Sequence, residues 1–238
     1  MKRGLLVVLL LAAVSGAGPS TADAGTECDG LVVCIPVTGP WVQVLGGGTP
    51  TYYQLSCPGR GQVIGGLDAD RAGPLELSFL GMLGGPIGPG VTTGRAAVFV
   101  ARTSRMLSGF RPLLGCIPGG GGGGRGRTLR QPTRQLTAVA PPQVEATILR
   151  VKNVRLKDVQ TQRVTHACLA GERLLAFSSA VAFRTSRPPA LSALGSVRAT
   201  SRRTAGDRIV VTVRSGITRP ESVRVELQIH AICVRAPS

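Results

Sequence analysis

Val223, Val225, Leu227, Ile229, Ala231 and Cys233 alternate with Arg224, Glu226, Gln228 and His230. That is the period of a strand with one face turned to a core. The same period of two recurs upstream. Tyr53, Leu55 and Cys57 stand opposite Tyr52, Gln54 and Ser56, and Leu75, Leu77 and Phe79 stand opposite Glu76 and Ser78. Ile209, Val211 and Val213 alternate with Arg208, Val210, Thr212 and Arg214. Leu175, Phe177, Val181 and Phe183 form a bulky stripe, and Val164, His166 and Cys168 share a face. Trp41 to Val44 predicts the first strand, Ala97 to Ala101 a buried one, and Phe110 to Leu114 one that leads back to Cys116. Before Cys116 no helical spacing of apolar residues is sustained. The expected fold class is all-β, with antiparallel sheets packed as sandwiches.

Breakers divide this pattern. Gly65-Gly66 after Val63-Ile64 predicts a bulge or a close backbone approach, and the phase change near Asn153-Val154 predicts a bulge or a strand end. The strongest breaker is the run Gly119–Gly124, since six residues without side chains bury nothing and lose maximal backbone freedom on ordering. It predicts a linker between two comparable modules. The expected division is 1–24 leader, 25–118 first β module, 119–143 Gly/Pro/Arg-rich linker and 144–238 second β module. The halves read as diverged copies. Cys57 to Ala69 aligns with Cys168 to Ala180, Val98-Phe-Val100 with Val211-Thr-Val213, and Cys116 with Cys233.

Met1 to Ala24 has the charged start (Lys2, Arg3), the short apolar run Gly4 to Val14 and the small-x-small end Ala22-Asp23-Ala24 of a secretory signal peptide. The apolar run is too short to span a bilayer, and no membrane span is expected after cleavage. Six cysteines in an exported chain point to three disulfides. Spacing favours Cys28–Cys34 as a local loop, with Cys57–Cys116 and Cys168–Cys233 each closing one module. The expected location is extracellular or associated with the cell envelope.

Charge separates the halves. From Gly25 to Pro118 six arginines face five acids; from Gly119 on, eighteen arginines and two lysines face six acids. GC-rich codon usage alone can produce such an arginine bias, and so can selection for an anion-binding surface. Guanidinium groups bind phosphate and carboxylate in a fork, and several together attract a polyanion. The candidate anion-binding residues are Arg125, Arg127, Arg130 and Arg134 beside the glycine run, Arg150, Lys152, Arg155 and Lys157 on a strand, and Arg198, Arg202, Arg203 and Arg208 around a turn. Aromatics for base stacking are scarce in this half, which disfavours a nucleic-acid reader. The expected partner is an anionic envelope or extracellular polymer, with no specific nucleic acid and no cofactor.

Catalytic signatures are few. Only His166 and His230 are present, with no Gly-x-Ser-x-Gly or His-Glu-x-x-His motif. A zinc site from His166, Cys168, His230 and Cys233 needs a bulge and forgoes a disulfide. Asp68-Ala-Asp70 opens like a calcium loop but lacks the later oxygens, since Ala72 and Phe79 stand there. Asp68, Asp70 and Glu76 remain as carboxylates for glycoside hydrolysis, and Trp41, Tyr52 and Tyr53 as a lectin-like platform. These form the alternative reading, a secreted carbohydrate-active protein using the first module.

Four segments, Cys34 to Trp41, Gly65 to Ala69, Pro89 to Thr93, and Phe110 to Pro112 with Gly115 to Pro118, resemble a set of exported proteins of GC-rich bacteria to which no activity is assigned. The resemblance implies export and a β fold, and implies no site.

Overall fold

The computed structural model describes residues 26–81, 94–104, 106–119, 147–157, 160–216 and 223–235. The leader, the linker from Gly120 onward and Arg125, Arg127, Arg130 and Arg134 lie outside the described residues. After a single 3-10 turn (Thr26–Cys28) the first half forms β1 (Ile35–Thr38), β2 (Trp41–Val44), β3 (Thr51–Ser56), β4 (Gln62–Ala72), β5 (Glu76–Leu80), β6 (Ala96–Arg102) and β7 (Ser108–Pro118). The second half forms β8 (Thr147–Arg155), β9 (Thr161–Ala167), β10 (Glu172–Arg184), the short helix α1 (Leu191–Gly195), β11 (Val197–Thr204), β12 (Arg208–Ser215) and β13 (Arg224–Arg235). Every strand pair is antiparallel, as the alternating pattern demanded. The helix was not foreseen.

Seven strands form one sheet that runs through both halves. β4 lies along one edge of β7, while β1 and then β2 lie along the other, with Gly39-Pro40 as the break between them. β2 then pairs with β10 through Trp41–Phe183 and Val42–Ala182. β10 pairs with β13, and β13 with β8. The remaining strands form two three-stranded sheets, β3–β6–β5 and β9–β12–β11. The pairing order is the same in each half: β3–β6–β5 answers to β9–β12–β11, and β4–β7 to β10–β13.

The small sheets cover opposite faces of the shared one. Strand alternation shows this directly on β10. Val181 and Phe183 enter a core with Ile209, Val211, Val213, Leu227 and Ile229, under β9–β12–β11. Ala180 and Ala182 enter a core with Phe99, Phe110 and Leu114, under β3–β6–β5. On β2 the split is reciprocal: Val42 and Val44 join the first-half core, whereas Trp41, 2% exposed, is driven into the second-half core. Gln43, on the Trp41 side, donates from Nε2 to the carbonyl oxygens of Leu194 and Val197, at 3.0 Å for Val197. Each half therefore completes the other's interior. The sequence left open whether the halves pack together, and the shared sheet is the answer.

Each half is closed by its own disulfide, Cys57–Cys116 and Cys168–Cys233, with Cys28–Cys34 as the local loop. The glycine pair behaves as its sequence requires. The β4–β7 register slips between Ile64 and Gly66. A Cβ added at Gly66 or Gly115 would stand 1.9 or 2.0 Å from the Glu27 carbonyl oxygen, so only glycine lets the Thr26–Cys28 turn rest on this ladder.

One local expectation is corrected, and one is narrowed. A bulge between Leu174 and Ala176 turns Leu174 into the core and leaves Leu175 exposed, so the bulky stripe starts one residue earlier. β8 pairs with β13 without a slip from Thr147 to Arg155. Of the bulge or strand end expected near Asn153, it is the strand end that is found, two residues on at Arg155.

Candidate functional site

The outward face of β9–β12–β11 is where the second half's charge collects. The inward positions of β12, Ile209, Val211 and Val213, are buried, which turns Arg208, Val210, Thr212 and Arg214 outward. Register then defines four cross-strand rows, Arg198–Arg214–Thr161, Thr200–Thr212–Arg163, Arg202–Val210–Thr165 and Thr204–Arg208–Ala167. Every row carries an arginine, and all five arginines are exposed. Neighbouring strands lie about 4.8 Å apart and alternate residues about 6.7 Å, so the guanidinium groups are spread over one continuous face. None of the three strands contains an acid, and no described carboxylate pairs with any of the five arginines. Arg198 and Arg214 stand directly opposite each other, a like-charge pair that destabilises a sheet. Hydroxyls of Thr161, Thr165, Thr200, Thr204 and Thr212 alternate with them, those of Thr200 and Thr204 donating to the Thr212 and Arg208 carbonyl oxygens, so charged forks and neutral hydroxyls share the face.

Of the arginines and lysines singled out from sequence, Arg198, Arg202 and Arg208 belong to this face. Arg150 does not. It lies on the opposite edge strand and holds Glu172 through both nitrogens, with Nε to Oε2 at 2.7 Å. That charged hydrogen bond, helped by the Leu169 N–H, lowers the Glu172 pKa to about 2. Lys152 donates from Nζ to the Thr165 carbonyl oxygen at 2.7 Å. It reaches a shallow groove beside Arg208, so it borders the face without lying on it. Arg155 points to the other side of the shared sheet, in register with Glu226. Lys157 lies beyond the end of β8. Arg203 alternates inward and is tied to Asp207, whose carboxyl is held below the ordinary carboxylate range by that guanidinium and by the Leu174 N–H. Arg163 and Arg214 complete the face and were not among the candidates. The alternation on β12 was the signal for Arg214; only the pairing of β9 with β12 brings in Arg163.

The first-half candidates are already engaged. Asp68 accepts hydrogen bonds from the Thr26 N–H and hydroxyl, each at 2.9 Å. Burial would raise its pKa, but these bonds and that from the Ala69 N–H outweigh it, and the pKa falls. Asp70 is paired with Arg111, Nε to Oδ2 at 2.7 Å. Glu76 is exposed and sits opposite Arg102. Trp41 and Tyr53 are buried, with the Arg111 guanidinium carbon 5.1 Å from the Trp41 ring centre, so of the three platform aromatics only Tyr52 reaches a cleft.

The histidines are held apart. His166 Nε2 lies 3.1 Å from the Arg150 carbonyl oxygen. His230 points away from Cys233, on the face that Gln228 also occupies, and its Nε2 is 2.6 Å from Gln228 Oε1. With Cys168 and Cys233 bonded to each other, the four-residue zinc arrangement does not form. Ser178 Oγ lies 3.4 Å from His230 Nδ1. The third member of that chain is a neutral amide, which cannot stabilise an imidazolium as a triad carboxylate does. Compared with protein-family models, curated proteins and solved structures, the chain gives no match.

Proposed function

We propose that this is an exported structural or adhesive protein whose second half grips an anionic polymer outside the cell. The observation that carries the reading is the acid-free arginine and threonine face of β9–β12–β11, five exposed guanidinium groups in four consecutive rows. A single row would bind one anion weakly. Successive rows suit a ligand that repeats its charge along a chain, because each further contact adds without a new association cost. The broad, open face also fits a polymer better than a small metabolite, which needs a concave site. Three disulfides fit an oxidising compartment outside the cytoplasm. We read the matching strand order of the two halves as one duplicated unit in which only the second copy acquired the charged face. At the corresponding sheet of the first half, β3–β6–β5 carries Arg102 and Glu76 in register and no such array.

Binding of dextran sulfate at increasing salt tests the reading. The expected result is affinity that falls steeply with ionic strength, because exposed charges are screened over about 8 Å at physiological salt. Affinity indifferent to salt, or no binding at low salt, would refute it.

A further inference from the structure

A second site lies between the halves, on the opposite side of the shared sheet. There the β3–β6–β5 sheet leans over β8, β10 and β13 and leaves a cleft of about 250 Å³. Leu80 and Val98 wall it from the first half and Leu149 from the second, while Tyr52, Thr147, Ser178 and His230 supply its polar groups. Among the described residues no charged side chain lines it. Ile232, 37% exposed, and the exposed Ala176 lie at its rim, so the cleft opens to solvent. His230 is only 3% exposed.

The hydrogen bonds determine what His230 presents to this space. Gln228 Nε2 donates to the Gln54 carbonyl oxygen at 3.0 Å and to Asn153 Oδ1 at 2.8 Å, and Gln228 Oε1 accepts from the Gln54 N–H at 2.6 Å. The amide is therefore oriented by backbone groups of the other half, with Oε1 as an acceptor. His230 Nε2, 2.6 Å from that oxygen, must be the donor, so the ring proton sits on Nε2 and Nδ1 is a bare acceptor. Ser178 Oγ stands 3.4 Å from Nδ1, a long contact that leaves room for a better one.

We propose that this cleft binds a small, neutral, apolar molecule bearing one hydroxyl group, which donates to His230 Nδ1 and accepts from the Ser178 hydroxyl. A hydroxyl satisfies both partners at once. A carboxylate presents only lone pairs to a bare nitrogen, and nothing in the lining neutralises its charge. An ether of the same shape accepts from Ser178 but leaves Nδ1 without a donor. The volume admits roughly eight water-sized groups, which sets the scale at a medium-chain alcohol.

The test is titration of protein carrying ¹⁵N-labelled histidine with 1-octanol, heptyl methyl ether and octanoate, followed by imidazole NMR. His166, on a different strand outside the cleft, is the internal reference. Octanol is expected to shift the His230 ring nitrogens saturably and leave His166 unmoved. The ether should bind about tenfold more weakly, the scale of one lost hydrogen bond, and octanoate should not compete. Ala176→Trp fills the mouth without removing a hydrogen bond and should abolish the shift. Octanoate binding as tightly as octanol, a His230 ring that no compound moves, or saturation unchanged in Ala176→Trp would each overturn the proposal.

Discussion

At the scale of single residues, the buried His230 makes stability depend on pH in a window of its own. Desolvation, with a smaller contribution from His166, lowers its pKa from 6.5 to about 4. The folded state thus resists protonation that the unfolded chain accepts. Its stabilising contribution is complete above pH 6.5 and is lost as pH falls toward 4, at about 1.4 kcal/mol per unit. Denaturant unfolding from pH 7 to 4 should show roughly 3 kcal/mol of loss from this group, and His230→Gln should flatten the slope. A slope unchanged in the variant would place the titration elsewhere. Asp68, Glu172 and Asp207, whose pKa values are lowered, add their losses as pH falls through the ordinary carboxylate range and below it, so the upper part of the His230 window lies above theirs. Trp41 is the other decisive residue. Truncating it to alanine removes a first-half side chain from the second-half core and should cost about 3–5 kcal/mol.

At the scale of elements, Gly66→Ala and Gly115→Ala should each displace the Thr26–Cys28 turn, since either added Cβ meets the Glu27 carbonyl. Proteolysis at low enzyme concentration should cut the Cys28–Cys34 loop faster in these variants, and resistance equal to the parent would contradict the packing. Much of the strand content was legible. Alternation located β3, β5, β12 and β13, a continuous apolar run located β6, and cysteine spacing found all three disulfides. What alternation cannot carry is register between distant strands. Leu175 matched the stripe of β10 until a bulge shifted it. The candidate residues are dispersed for the same reason, because neighbours in sequence need not be neighbours in space. Arg202 and Arg203 are adjacent yet point to opposite sides, one to the open face and the other to Asp207. Arg163 and Arg202 are 39 positions apart, but lie on the same face across β12.

At the scale of the whole molecule, a sheet that passes from β7 through β2 into β10 makes the halves thermodynamically dependent. Calorimetry should show one unfolding transition, and Trp41→Ala should lower it as a whole rather than split it; two transitions of which one is unmoved would mean independent halves. The arginine face is then held on a frame to which both halves contribute, and the cleft beside His230 exists only because they meet. The most direct measurement compares two variants of equal charge loss for binding to dextran sulfate at low salt. Arg163→Gln with Arg202→Gln and Arg208→Gln empties three of the four rows, whereas Arg150→Gln with Arg155→Gln and Arg203→Gln removes the same charge away from the face. The first should lose most of the affinity and the second should keep it. Equal losses in both would mean that net charge alone binds the polymer and that the face is not a site.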